Sequence, residues 1–133
     1  MFDKIIESTN QEVFFPLLEE KEIRLFIKRE DTIHPFVSGN KFRKLKYNIQ
    51  EASLKGKSKI LTFGGAYSNH IVATAVAGNL SGFKTIGVIR GDELGLNITK
   101  TLEENTTLRK ARENGMEFVF VSREIYKRKE TDA

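Results

Sequence analysis

Cysteine is absent from this chain of 133 residues, and histidine occurs at only two positions. The lack of cysteine excludes disulfides, thiolate metal sites and a cysteine nucleophile, and two histidines alone argue against a transition-metal site. Long apolar runs are also missing: the longest, IVATAVAG at residues 71–78, is far shorter than the ~20 residues that span a bilayer. The N-terminus does not resemble a signal peptide. We therefore expect a cytoplasmic protein without a membrane partner.

A concentrated basic stripe is lacking too, although the net charge is +4, from 22 basic and 18 acidic residues. The excess lies largely in residues 41–59 and in the tail SREIYKRKETDA, and acidic residues interrupt both stretches. Nucleic-acid binders usually show an uninterrupted basic surface with exposed aromatic residues. The pattern therefore predicts no nucleic-acid partner, and the length fits one compact domain.

Strand-like and helix-like segments alternate along the chain. Strands are predicted at residues 23–31, 59–66, 83–91 and 116–122, and helices at residues 40–56, 68–82 and 97–115, with the tail starting as another helix would. Gly56, Gly82 and Gly115 each follow a helix, where glycine accepts the left-handed conformation. Short connections between alternating elements, and the apolar strands KILTF and TIGVI, predict an α/β fold: a three-layer open parallel sheet with helices on both faces.

Lys41 differs from the other basic residues of the first long helix. At about 100° per residue, Lys41 falls in line with Leu45 and Ile49 on the apolar face, whereas Arg43 lies opposite. A free lysine amine has a pKa near 10.4, and we expect burial, the cations Arg43 and Lys44, and the helix dipole to lower it. Such a lysine suits Schiff-base chemistry. From position alone, the simpler interpretation is that Lys41 extends from the core edge to solvent.

The stretch FGGAYSNH, residues 63–70, lies where a strand ends and a helix begins. Gly64 and Gly65 would let a flat ligand approach the backbone, and free N–H groups at the helix start suit anionic ligands. Ser68, Asn69 and His70 bring a hydroxyl, an amide and an imidazole to this edge as candidate substrate-binding groups. The alternative is that Ser68 or Asn69 caps the helix and His70 is an ordinary hydrogen-bonded residue.

The segments KRED and SGNKFRKL, followed some two dozen residues later by FGGAYSNH, resemble the 1-aminocyclopropane-1-carboxylate deaminase and D-cysteine desulfhydrase family. The resemblance implies a pyridoxal-phosphate enzyme of the tryptophan-synthase-β fold type, which deaminates or desulfhydrates a small amino acid to give ammonia and a 2-oxo acid. Lys41 would form the Schiff base with the cofactor, and Asn69 would hydrogen-bond the 3′ oxygen of its ring. Ser68 would lie beside the substrate as a catalytic residue, and Lys44 near the cofactor phosphate.

Two departures from the family pattern qualify these expectations. Tyr67 stands where well-studied members have glutamine, and family members are more than twice this length. Residues 1–44 would belong to an incomplete large domain and residues 45–133 to the small domain, so we expect little activity from this chain. The alternative function is a non-catalytic α/β domain for self-assembly or partner binding. Apolar residues without a core, namely Ile5, Ile6, Phe14 and Phe15, predict a homo-oligomer.

Overall fold

The structure, a computed structural model, describes residues 7–128. The chain begins with a two-stranded antiparallel ribbon formed by β1 (Asn10–Val13) and β2 (Leu25–Lys28), with the short helix α1 (Pro16–Glu20) between them. The strand predicted at residues 23–31 is confirmed in its centre. Strand β1 escaped prediction because its sequence, NQEV, has only one apolar residue.

Alternating helices and strands follow the ribbon. Their bounds are α2 (Gly39–Leu54), β3 (Lys59–Gly65), α3 (Asn69–Leu80), β4 (Lys84–Arg90), α4 (Ile98–Glu104), α5 (Thr106–Glu113), β5 (Met116–Val121) and α6 (Arg123–Lys127), with 3-10 turns at Glu30–Thr32 and Asp92–Gly95. Strands β3, β4 and β5 form a parallel sheet in that order. The predicted α/β class with a parallel sheet flanked by helices is confirmed.

The three glycines predicted to end helices have the expected backbone. Gly56, Gly82 and Gly115 have φ values of +62°, +78° and +81°. Each lies in the turn that carries the chain from a helix to the next strand, and a residue with a Cβ is strained there. The short connections of the βαβ units are therefore encoded by the residue type.

Helix α3 is the central element of the core, as its apolar composition predicts. On one side Ala73, Val76 and Ala77 pack against Phe42 and Leu45 of α2. On the other side a second buried cluster joins α3 to α5 and to strands β4 and β5, through Ile71, Ala75, Ile89, Leu108, Ala111 and Met116. The packing of α3 fixes where the first turns of α2, α3 and α5 lie, and these first turns form the candidate site.

The second face of the sheet has less cover within residues 7–128. Leu61 on β3 is 55% exposed and Val119 on β5 is 49% exposed, which differs from the expectation that apolar strands are buried on both sides. Helix α6 reaches this face where the Tyr126 ring contacts the Phe63 ring edge-on, with centroids 6.1 Å apart. Among residues 7–128, the sheet face that exposes Leu61 and Val119 is therefore covered by α6 only in part.

The single helix predicted at residues 97–115 is wrong in one respect, because it is broken at Asn105. This residue has extended backbone angles, φ −112° and ψ 100°, and separates α4 from α5. Its side-chain oxygen accepts a hydrogen bond from the backbone N–H of Leu108 at 2.9 Å. An N-cap of this kind starts a new helix and competes with continuation of the previous one.

Among residues 7–128, no helix is both long and apolar enough to cross a membrane. The same part of the chain has no group of three or more histidine or acidic side chains that could hold a metal ion. Of the apolar residues predicted to lack a core, Ile5 and Ile6 lie outside the described residues, whereas Phe14 and Phe15 are exposed.

Candidate functional site

A cleft of about 550 Å³ lies between the first turns of three helices. Ser38, the residue before α2, and the first turn of that helix form one wall, α3 contributes Asn69 and Val72, and α5 contributes the third wall. Helices α3 and α5 begin after the carboxyl ends of β3 and β4. The cleft therefore lies where open parallel sheets usually bind ligands, and its volume is typical of small-molecule sites.

Lys41 lines this cleft from the first turn of α2 and is half-buried. The apolar face predicted for α2 is confirmed, because Phe42, Leu45 and Ile49 are its buried residues. Gly39 opens the helix with φ +57°, a conformation that glycine adopts without strain. The start of α2 thereby holds the Lys41 side chain at the edge of the core and next to the cleft.

Arg43 is directed away from Lys41 by an ion pair. Its guanidinium donates two hydrogen bonds of 2.8 Å to the Glu30 carboxylate, which also accepts a 2.5 Å bond from the Ser8 hydroxyl. These hydrogen bonds, from Arg43 above all, lower the pKa of Glu30 to about 2. The pair ties the loop before α2 to the helix, so the charge of Arg43 is compensated outside the cleft.

Asn69 joins Lys41 in the cleft, whereas its neighbour Ser68 caps helix α3. The Ser68 Oγ accepts a 3.3 Å hydrogen bond from the backbone N–H of His70, and Ser68 does not line the cleft. Lys44 is exposed and also lies outside the lining, one turn beyond Lys41. Of the predicted site residues, the structure thus brings Lys41 and Asn69 together.

The His70 ring lies against the hydroxyl groups of two threonines at the side of the site that faces the core. Its Nε2 lies 2.7 Å from the Thr62 Oγ1 and 3.5 Å from the Thr74 Oγ1. Burial lowers the pKa of His70, and the charges of Lys41 and Lys44 lower it further. His70 is therefore a neutral ring at neutral pH, with the two lysine charges disfavouring its protonated form.

Sequence reasoning missed the whole wall of the cleft that α5 forms, with Thr106, Thr107 and Lys110. They were placed in the middle of a single amphipathic helix, where no residue is singled out. The signal that would have found them is the asparagine at position 105, whose preference for the N-cap marks a helix start at Thr106.

The chain is thus an α/β domain with a lysine and an asparagine in one cleft, at the carboxyl edge of its parallel sheet. No protein-family model matches the chain. The chain is 37% identical over 112 residues to a Thermotoga maritima protein that carries the name of 1-aminocyclopropane-1-carboxylate deaminase, covering 84% of this chain and 33% of that protein. It is 39% identical over 70 residues to the Arabidopsis thaliana bifunctional D-cysteine desulfhydrase/1-aminocyclopropane-1-carboxylate deaminase, covering 53% and 18%.

A third relative, the nocardicin C-9′ epimerase of Nocardia uniformis, is 33% identical over 79 residues, or 59% of this chain and 24% of that protein. The resemblance read from the two motifs is confirmed: the chain is related to the 1-aminocyclopropane-1-carboxylate deaminase and D-cysteine desulfhydrase family. It spans about a third of the length of the first of these relatives.

Pyridoxal 5′-phosphate is the cofactor of that family, and the geometry of this chain fits its aldehyde end. A lysine amine is the group that takes up an aldehyde. Lys41 provides that amine in the cleft and has no ion pair among residues 7–128. The side-chain amide of Asn69, exposed in the same cleft, can donate a hydrogen bond to an oxygen on the ring.

Proposed function

We propose that the cleft between Lys41 and Asn69 is part of the site of a pyridoxal-phosphate deaminase or desulfhydrase. Its substrate would be a small amino acid of the 1-aminocyclopropane-1-carboxylate or D-cysteine type, and its products ammonia and a 2-oxo acid. The observation that carries this proposal is the position of Lys41, half-buried in the same cleft as Asn69. The names of the relatives support the substrate class.

Lys41 would hold the cofactor through its amine, and Asn69 would orient the ring through its amide. The cofactor, when bound, withdraws electrons from the substrate carbon next to the amino group. Ser68 uses its oxygen to accept the His70 N–H, so its own hydroxyl proton stays available to donate to a substrate carboxylate. Lys44 would lie near the cofactor phosphate.

His70 contributes by position rather than by proton transfer in this scheme. Its ring is fixed against Thr62 at 2.7 Å and keeps the first turn of α3 in place. A lowered pKa keeps the ring neutral, so it adds no further positive charge beside Lys41. Asn69, the preceding residue, is thereby held on a rigid helix start.

We expect weak cofactor retention and little turnover from the 133 residues. Within residues 7–128, the cleft offers an amine and an amide for the ring, but no glycine-rich loop encloses a phosphate group there. In this proposal, residues 1–44 belong to the larger domain of the enzyme and residues 45–133 to the smaller one. Helix α2, which spans residues 39–54, would connect the two.

The test is a borohydride trap followed by peptide mapping. The chain is mixed with pyridoxal 5′-phosphate and reduced, which fixes the cofactor as a stable secondary amine on the lysine that holds it. We expect the label on Lys41, with Lys41→Met abolishing it and Lys57→Met, in an exposed loop, leaving it unchanged. Equal labelling of many exposed lysines would contradict the proposal.

The second candidate function is a non-catalytic α/β domain that associates with itself or with a partner. The exposed side chains on the N-terminal ribbon, such as Phe14 and Phe26, and on the sheet face, such as Leu61, favour it. In that case Lys41 only extends from the core edge to solvent, and the trap labels it no more than other lysines.

A further inference from the structure

Lys110 lies in the same cleft as Lys41 and Asn69, although it comes from helix α5 and belongs to neither sequence motif. Its ammonium nitrogen is 4.5 Å from the centroid of the Phe36 ring, within the range of a cation–π interaction. Phe36 belongs to the loop before α2. Lys110 therefore extends across the cleft, from the wall that α5 forms to the wall that carries Lys41.

Two hydroxyl groups share this wall with Lys110. Thr106 and Thr107 precede it by four and three residues on α5, which places all three side chains on one side of the helix. All three line the cleft. A lysine ammonium and threonine hydroxyls are donors that suit the oxygens of a carboxylate or a phosphate.

The ion pair that Lys110 makes on its own helix leaves it able to bind an anion. Its Nζ is 3.6 Å from the Glu113 carboxylate, and both side chains are exposed to solvent. Exposed pairs of this kind contribute little to stability. A ligand oxyanion in the cleft can therefore take the place of Glu113 at low cost.

The cleft carries positive charge, because its acidic lining residue is already paired with an arginine. Asp31 is the acidic side chain that lines the described cleft, and Arg29 donates to both of its oxygens at 2.8 and 2.7 Å. Asp31 is thus already neutralised. The charges that remain are those of Lys41 and Lys110, which face a ligand from two different helices.

We propose that Lys110, with the hydroxyls of Thr106 and Thr107, binds the oxyanion of a ligand in the cleft that Lys41 lines. This inference rests on the proposed function, in which Lys41 holds an aldehyde at the opposite wall. A ligand held by Lys41 at one end and by Lys110 at an anionic group has its direction in the cleft fixed. The oxyanion is the phosphate of the cofactor or the carboxylate of the amino acid.

The test compares Lys110→Met, which keeps the aliphatic stem over Phe36, with Lys110→Arg and with the control Lys84→Met. Lys84 is exposed at the amino end of β4, away from the cleft. Thermal unfolding first establishes that each variant is folded. Dissociation constants are then measured by NMR titration for pyridoxal 5′-phosphate, pyridoxal, 1-aminocyclopropane-1-carboxylate and the methyl ester of that amino acid.

We expect Lys110→Met to weaken binding of an anionic ligand about tenfold, as the loss of a hydrogen bond to a charged group does, and Lys110→Arg to retain it. Weaker binding of pyridoxal 5′-phosphate but not of pyridoxal assigns Lys110 to the phosphate. Weaker binding of the amino acid but not of its ester assigns Lys110 to the carboxylate. Either result supports the inference.

The inference is overturned if, for each of the four ligands, Lys110→Met has the same dissociation constant as Lys84→Met. It is also overturned if the wild-type chain binds none of the four ligands. The borohydride label separates this failure from that of the proposed function. Label on Lys41 in both variants, without a change in affinity, leaves the proposed function standing and removes the role of Lys110. Anion binding that needs Lys110, without label on Lys41, removes the proposed function instead.

Discussion

The residue that connects the candidate site to the core is His70, because its ring contacts the Thr62 hydroxyl and the charges of Lys41 and Lys44 act on it. Burial is the first cause of its lowered pKa, and Lys41 and Lys44 add to it. The folded pKa lies below that of the unfolded chain, near 6.5. The unfolded state therefore binds more protons in this range, so His70 contributes stability above pH 6.5 that is lost as the pH falls.

We predict that Lys41→Met raises the pKa of His70 while leaving it below 6.5, because the nearby charge is removed and burial remains. The measurement is an NMR titration of the imidazole signals, assigned with a His34→Gln variant. Lys57→Met is the control, since Lys57 is not among the charges that act on His70. An unchanged pKa in Lys41→Met would show that Lys41 is directed away from the site.

At the scale of the elements, the long helices and the apolar strands could be predicted from the sequence, whereas a short polar strand and a helix break could not. Helices α2 and α3 were predicted because a glycine follows each of them, and the three parallel strands because each is a largely apolar run. Strand β1 and the break at Asn105 were not, since a four-residue strand and a cap leave the period of the flanking residues intact. The missed break also hid Lys110, which limits site prediction from motifs alone.

Gly64 and Gly65, in the motif between β3 and α3, differ in how much space lies beside each of them. A Cβ on Gly64 would lie 2.5 Å from the Ile71 Cγ1 of α3, whereas a Cβ on Gly65 would meet only the Arg90 Nη2, at 3.9 Å. The first glycine is therefore required for the close packing of α3 on the sheet. The second glycine has room for a methyl group, and neither glycine lines the cleft.

We predict that Gly64→Ala lowers the free energy of unfolding by about 1–3 kcal/mol through overpacking against Ile71. Gly65→Ala should change it by no more than about 1 kcal/mol, because the added methyl group makes an ordinary contact. Urea unfolding at pH 7 measures both values. Equal stability of the two variants would mean that α3 moves freely enough to accept the methyl group.

For the whole molecule, the structure shows two apolar surfaces that residues 7–128 do not cover. The N-terminal ribbon exposes Phe14, Phe15 and Ile27, and the open face of the sheet exposes Leu61 and Val119. Exposed apolar side chains that lie together favour an interaction with another chain. The homo-oligomer stays a prediction. Its candidate surface at the ribbon is a groove that Phe14 lines together with Val13, Leu18 and Ile23 and with four charged residues.

We predict that the chain associates with itself through the N-terminal ribbon. Phe14 is 72% exposed, and burial of a phenylalanine contributes about 1.5–3 kcal/mol, so Phe14→Ser with Phe15→Ser should weaken association at least about tenfold. Sedimentation velocity over a range of concentrations measures it. Leu54→Ser is the matched control, because Leu54 is 90% exposed at the end of α2 and lies outside the ribbon. A wild-type chain that stays monomeric at the highest concentration would contradict the prediction, as would a control that weakens association equally, because the ribbon would then have no specific role.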